Sequence, residues 1–404
     1  MRFQGKLTTP FIVAAAAILV AFVAFIIWGI PYFFQPPAIP QSLEGYGSQV
    51  VRARVTKVLE EGQITLGENT QSYQILRVEL LEGQYQGIPM DIDYGKRQLR
   101  NDNNRFAPGD EVFVTLGKTP DGVLTAYYTD YVRTNALLIL LGIFVLSILV
   151  MARRKGLGSL LALAFSMVVI IGYIIPHILA GEDPLRVSLI GSSILLGVTL
   201  YLTYGWNLKT HSSVASIILA LLLTGALSAF FVWLTRLNGS GDENAMFLIQ
   251  FAPVQINLRG LMLGGMMIGA LGVLDDLVTS QSAAVFEIYD ANPALGFWPT
   301  FEKAMHIGQD HVAATVNTLV LAYTGASLPL LLLFTLGSGN YGFLLNAEFM
   351  AEEIVRTLVG SLGLMAAVPI ASLIATSLAL YGDRLGEWRA LLGPRTGHDH
   401  SHHH

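Results

Sequence analysis

Long unbroken apolar runs constrain this chain more than any other feature. A helix needs about 20 mostly apolar residues to cross the hydrocarbon core of a bilayer. Eight stretches meet that length to within a few residues: Phe11–Ile30, Thr134–Met151, Leu157–Ala180, Val187–Tyr204, Val214–Leu234, Leu261–Leu277, His311–Leu336 and Ile354–Leu380. Only 13% of the 404 residues are charged, against about 25% in soluble globular proteins. With a mean hydropathy of +0.54, a single water-soluble globule is excluded. The sequence predicts a polytopic α-helical membrane protein of about eight spans.

Lys and Arg near the span ends set the orientation. With the N-terminus in the cytoplasm, that side holds Arg2, Lys6, Arg153, Arg154, Lys155, Lys209, Lys303, Arg384, Arg389 and Arg395. The opposite side holds Arg133, Arg186, Arg236, Arg259 and Arg356. The roughly twofold excess places both termini inside. Phe11–Ile30 is longer than a usual signal-peptide core and lacks an A-x-A-like cleavage site, so it reads as an uncleaved signal anchor.

Between the first two spans lies a soluble segment, residues 35–131. It opens on a proline-rich linker, FFQPPAIPQ, and then turns strand-like. Val51, Ala53 and Val55 alternate with Arg52, Arg54 and Thr56; Ile88, Met90 and Ile92 alternate with Pro89, Asp91 and Asp93. Further runs begin at Tyr73, Val112 and Leu124, with turn signals at Glu61-Gly62, Glu82-Gly83, Pro108-Gly109 and Asp121-Gly122. Five or six short strands of this kind predict one small extracytoplasmic all-β domain, an OB-like barrel or a sandwich. Asp91 and Asp93 share a strand face, which reads as a solvated surface rather than a metal site.

Several function classes drop out. The net charge of −5 gives nucleic-acid binding no electrostatic basis. The absence of cysteine removes disulfides, thiol catalysis and Cys-based metal sites. No HExxH, GxSxG or Walker loop is present, so the chain is not expected to be an enzyme. No cofactor is indicated.

Polar residues inside the spans carry the functional information, because a charge at bilayer depth costs about 2.5–3.5 kcal/mol on insertion scales. In NLRGLMLGGMMIGALGVLDDLVTSQ, Gly265, Gly269, Gly272 and Asp276 recur at i, i+4, i+7 and i+11, one face of a helix. Small residues there admit a close neighbour, so this face is expected to pack and Asp276 to point into the bundle. Ser280 continues the face, and Asp275 is turned about 100° away. The pair is interfacial if the helix ends near Leu277, and deeper if it runs on to Tyr289.

In the seventh span, Asp310, Asn317 and Thr324 are seven apart and share a stripe, with Ala313 and Ala314 between the first two. An amide in an apolar helix must hydrogen-bond. Asn317 is therefore either interhelical glue or the lining of a polar path beside Asp276. A free imidazole titrates near neutrality, so His311 is either a proton carrier or an interface residue. The candidate path comprises Asp275, Asp276, Ser280, Gln281, Asp310, His311 and Asn317, with Gly265, Gly269 and Gly272 as packing positions.

Other segments have simpler readings. His177, after Pro176, reads as a kinked, solvated helix end. FLIQFAPVQINLRG reads as re-entrant or interfacial, with Arg259 snorkelling to the headgroups. Ser282–Gln309 reads as two amphipathic pieces around Asn292-Pro293. Glu353 and Arg356, three apart, form a surface pair, and Pro369 is placed to kink the last span. His211 with Thr224-Gly225-Ala226 matches His311 with Thr324-Gly325-Ala326 at an offset of 100 residues, which suggests a parallel duplication of helix pairs. The GHDHSHHH tail is suited to Zn or Ni, and is either native or a purification remnant.

At LGVLDDLVTSQ, IGQDH and VNTLVLAYTGASLPLLLLF the chain resembles the YibE/F family of bacterial membrane proteins. The likeness covers nearly the whole length, with the motif positions at Asp275, Asp276, Ser280, Gln281, Asp310, His311, Asn317 and Thr318. It implies a bacterial inner or plasma membrane, and no substrate.

The expected organisation is a signal-anchor helix (1–34), a β-rich domain (35–131), a seven-helix membrane core (132–382) and a His-rich cytoplasmic tail (383–404). The expected function is a transporter or channel for an ion or small solute, with a polar path around Asp276 and Asn317. The alternative is an envelope scaffold, assembly factor or signal relay whose β-domain binds a partner or ligand. Expected partners are the bilayer, the solute and a further copy of the chain.

Overall fold

The computed structural model describes residues 49–66, 69–97, 105–118, 123–252, 254–336, 341–385 and 392–395. The expected signal anchor, the proline-rich linker and the His-rich run 398–404 lie outside the described residues. The chain divides into two compact units, Pro36–Leu146 and Met1–Gln35 with Ser147–His404.

The first unit contains five antiparallel strands: β1 (Gln49–Leu66), β2 (Asn69–Leu80), β3 (Pro89–Tyr94), β4 (Glu111–Lys118) and β5 (Leu124–Tyr131), in the order β3-β2-β1-β4-β5. The period-2 pattern sets the inward face. Val51 lies opposite Val114, Ala53 opposite Val112 and Leu80, and Val55 opposite Val78, and all are buried. Register shifts at Val55/Lys57 and Val58/Glu60 bend β1. The sheet curls until the outer strands β3 and β5 approach one another, giving a nearly closed barrel rather than a sandwich.

Tyr94, Phe106, Tyr128 and Tyr131 cluster at one end of its core, Phe106 stacked on Tyr131 with centroids 4.5 Å apart and the other pairs edge to face. Buried Gln74 locks Phe106 there, accepting from its backbone N–H at 2.8 Å and donating to its carbonyl at 3.2 Å. Asp91 is held in a two-bond pair with Arg77, at 2.8 and 2.9 Å. A recess of about 830 Å³ opens beside β3 and β5, lined by Tyr85, Ile88, Met90, Tyr127 and Tyr128 among others.

Helices follow: α1 (Thr134–Arg153), α2 (Gly156–Leu179), α3 (Pro184–Tyr204), α4 (Leu208–Leu234), α5 (Glu243–Phe251), α6 (Leu258–Ala291), α7 (Phe297–Ala326), α8 (Leu328–Leu336), α9 (Tyr341–Asn346) and α10 (Glu348–Tyr381). Among the described residues six are long and apolar enough to cross a membrane: α1, α2, α3, α4, α6 and α10. They match six of the eight expected spans to within a few residues, α6 and α10 running longer. The seventh expected span is corrected. Its helix begins much earlier, at Phe297, carries Asp310, His311 and Asn317, and breaks at Ser327 before resuming as the short apolar α8.

Within the second unit α10 packs against α4, α6 and α7. Three close approaches fix their relative depth. Thr224 of α4 meets Gly363, Leu319 of α7 lies 3.6 Å from the place a Cβ would take on Gly360, and Gly308 of α7 meets Val368. Pro369 lies inside α10 without ending it. α2 carries a π-turn at Ile170–Ile174 just before Pro176. His177 beyond it is half-exposed and caps the Tyr173 carbonyl at 2.7 Å.

The connections are tied down by polar caps. The Glu348 carboxylate accepts from the backbone N–H groups of Asn238 and Gly239 at 2.7 and 3.0 Å and from the Ser240 hydroxyl at 3.0 Å. Glu352 is buried and accepts from Gly241 N–H at 3.1 Å. Arg259 donates to the Leu237 carbonyl at 2.9 Å, where the chain leaves α4. Glu353 and Arg356 form the expected pair. At the other end, the carbonyls of Pro394 and Arg395 accept the first free amides of α4, those of Leu208 and Lys209, at 2.9 and 3.3 Å.

Candidate polar site on α6

Asn257 starts α6 by accepting from Gly260 N–H at 3.1 Å. The helix then runs 34 residues, about 51 Å at 1.5 Å per residue. Asp275 and Asp276 are its 18th and 19th residues, the helix runs on past Tyr289, and Asp276 lies level with the end of α3 and the start of α4.

The glycine face is corrected. Gly265, Gly269, Gly272 and Asp276 do form one stripe, but it is exposed on the single chain, and a Cβ on Gly265 or Gly272 would meet nothing within 4 Å. The packed glycines are Gly260 and Gly264, against Pro184 and Ser188 of α3. The reason is that Met262, Leu263, Met267, Leu271, Leu274 and Val278 are buried, and they turn the 265/269/272 stripe outward. A spacing of 3.6 says which residues share a face and not which face is covered.

This rotation exchanges the two aspartates. Asp275 is the inward one, and its Oδ1 is buried without a hydrogen-bond partner among the described residues. Asp276 is exposed and lines a recess of about 210 Å³ between α3, α4 and α6. Facing it are Lys209, Thr210 and Ser213 of α4 and Tyr204 of α3, with Thr279 and Ser280 from α6 itself. Thr279 donates to the Asp275 carbonyl at 2.7 Å and Ser280 to the Leu277 carbonyl at 2.9 Å. Their hydroxyl protons are thereby engaged, and their lone pairs remain as acceptors. A carboxylate with hydroxyl oxygens is a hard-oxygen set suited to a proton or a small cation, and Lys209 supplies the opposite charge.

Gln281 belongs to a different surface. It is fully buried where α6, α7 and α10 meet, donating to the Ala304 carbonyl at 2.7 Å and to the Ser372 hydroxyl at 2.8 Å. Its Oε1, and the Thr300 and Thr376 hydroxyls one turn away on α7 and α10, are buried without partners among the described residues. Ser212 of α4 donates to Ser282 at 3.2 Å. The Lys209 half of the bundle is thus laced with small polar groups.

Asp310, His311, Asn317 and Thr318 are exposed on α7, and no hydrogen bond among the described residues joins them to Asp275 or Asp276. The two halves of the candidate path are therefore not brought together within one chain. His211, the counterpart of His311 at the 100-residue offset, is instead partly buried, with Nδ1 2.7 Å from the Tyr201 hydroxyl and its ring edge-on to Trp206.

Sequence reasoning missed Lys209, Thr210 and Ser213. A signal was present: the start of α4, LKTHSSVAS, places hydroxyls at 210, 212, 213 and 216 in an otherwise apolar helix. Among the described residues no group of three or more His, Asp or Glu side chains is arranged to hold a metal ion.

Comparison with known proteins gives one match. A family model described as YibE/F-like protein matches residues 140–380, from within α1 to the end of α10. No curated protein and no solved structure matches the chain.

Proposed function

The chain belongs to the YibE/F-like family, and from that premise we propose that it is a membrane transport protein for an ion or small solute. The observation that carries the reading is Asp275. A carboxyl group in a long apolar helix, with one oxygen buried and without a partner among the described residues, is costly to keep. It lies beside a recess that offers Asp276, Lys209 and five hydroxyls. Such groups mark ion and proton pathways in membrane helices. The recess takes up the solute from the Lys209 side, and Asp275 passes charge inward. The family resemblance supports a bacterial cell membrane protein, and the Lys and Arg distribution supports both termini cytoplasmic and the barrel outside.

The test is flux in proteoliposomes, followed with an entrapped pH dye and with tracer monovalent cations. Wild type is compared with Asp275→Asn, Asp276→Asn and protein-free vesicles. Flux in the wild type that both variants lose supports the reading. Wild-type flux equal to that of empty vesicles for every ion would remove it.

A second reading, an envelope relay or scaffold, is favoured by the barrel. Its recess of about 830 Å³ falls in the 300–1,000 Å³ range of small-molecule sites. Binding of a ligand or partner to the full chain, abolished by Tyr127→Ala and independent of Asp276, would support that reading.

A further inference from the structure

α7 carries an exposed heptad seam. Ile307, Asp310, Ala314, Asn317, Leu321 and Thr324 follow one another at intervals of 3, 4, 3, 4 and 3 residues, and all six are exposed. Intervals alternating 3 and 4 are the spacing of a helix–helix seam. Small or apolar residues take one set of positions (307, 314, 321) and polar residues the other (310, 317, 324). The opposite side of α7 is already used, with Ala304, Gly308 and Leu319 packed against α6 and α10.

The depth of this stripe makes its exposure significant. Thr224 meets Gly363, so the middles of α4 and α10 lie at one level. Leu319 against Gly360 and Gly308 against Val368 then place Asn317 near that level, within about 10 Å at 1.5 Å per residue. An amide there cannot face lipid, because its unmet hydrogen bonds cost several kcal/mol. The stripe must be covered by groups that can bond to it. The apolar stretch Phe11–Ile30 offers no polar side chain except Trp28 near its end.

We propose that this stripe is the seam of a parallel homodimer in which α7 packs against α7 of a second copy about a two-fold axis along the bundle. The seam is self-complementary. An amide carries both donor and acceptor, so Asn317 pairs with its own counterpart, and the Thr324 hydroxyl does the same. Across a parallel seam, a residue at the polar position also meets the residue after its counterpart. This sets Asp310 beside the partner subunit's His311 and relieves the approach of two carboxylates. A single Asn at a seam position fixes register and copy number in helix pairs. The residues that carry α7's polar stripe thus act between chains.

The chain contains no cysteine, which makes disulfide mapping clean. Full-length Ala314→Cys and Leu321→Cys, oxidised mildly in membranes, are expected to run mainly as covalent dimers. Facing positions in a close helix pair fall within the ~4.4–6.8 Å Cα separation that a disulfide bridges. Leu222→Cys, exposed on α4, is expected to stay monomeric. In a fluorescence-transfer titration, Asn317→Leu is expected to weaken association about three- to thirtyfold, from the measured range for interhelical polar pairs, and Asn317→Gln by less. Seam variants that stay monomeric while melting like wild type would overturn the proposal. So would equal cross-linking at Leu222→Cys, or free labelling of Ala314→Cys by an aqueous thiol reagent in the membrane, which would show that water covers the stripe.

Discussion

Replacing Asp275 by leucine is expected to stabilise the membrane bundle while abolishing the proposed transport. On insertion scales an Asp at a span centre costs about 2.5–3.5 kcal/mol and a Leu contributes about 0.3–0.6 kcal/mol, so a difference near 3–4 kcal/mol is the upper bound for Asp275. Asp275 keeps part of its surface and has one unpartnered buried oxygen, so about half of that difference, roughly 1.5–2 kcal/mol, is recoverable. For a unit of this size each kcal/mol moves Tm by about 2–4 °C, which predicts a rise of about 3–8 °C. The assay is thermal unfolding of the full chain in one detergent, read by tryptophan fluorescence. Asp275→Asn keeps the volume and should give a smaller rise of the same sign. Asp276→Leu alters a side chain that already faces the open recess, and should move stability by less than about 0.5 kcal/mol. A lower Tm for Asp275→Leu would refute the reasoning, because it would mean that the carboxyl group is held by a favourable partner rather than retained at a cost. Stability gained where activity is lost is the usual signature of a functional group.

Three further outcomes can be checked. Gly308→Leu drives a side chain into Val368 and the Gln281 amide; overpacking of that kind costs about 1–3 kcal/mol, and a lowered Tm with loss of flux is expected. Glu348→Gln removes the charge that three donors of the 238–240 loop share; a loss of about 1–3 kcal/mol and faster amide exchange at Asn238 and Gly239 should follow. In the barrel, hydrogen bonds from Lys96 and Tyr73 hold Glu60, and hydrogen bonds from Arg77 hold Asp91, below their ordinary values of 4.5 and 3.8. Each folded pKa lies under the unfolded one, so the stabilisation is complete above the ordinary carboxylate range. It is lost as pH falls through the lowered folded values, and added salt should weaken it because these groups are exposed. Unfolding monitored by near-UV dichroism between pH 7 and pH 2 measures it.

The sequence by itself determined the fold class, most of the span limits and the strand pattern of the barrel. Each follows from local periodicity and run length. Twenty apolar residues can only be satisfied in lipid, and Val51, Ala53 and Val55 can only share one side of a strand. It also singled out Asp275, Asp276 and Asn317, since polar groups in apolar helices need a reason. Only the tertiary structure decided which aspartate points inward. Helical spacing defines a stripe but leaves its rotation free. Here the apolar positions 262, 267, 271, 274 and 278 fixed that rotation by burying themselves, and so turned Gly265, Gly269 and Asp276 outward. The same holds for Gln281 and for Lys209. One became a buried hub and the other a wall of the recess through contacts between α4, α6, α7 and α10, residues dozens of positions apart in the chain, and packing energy is settled between such elements rather than within any one of them.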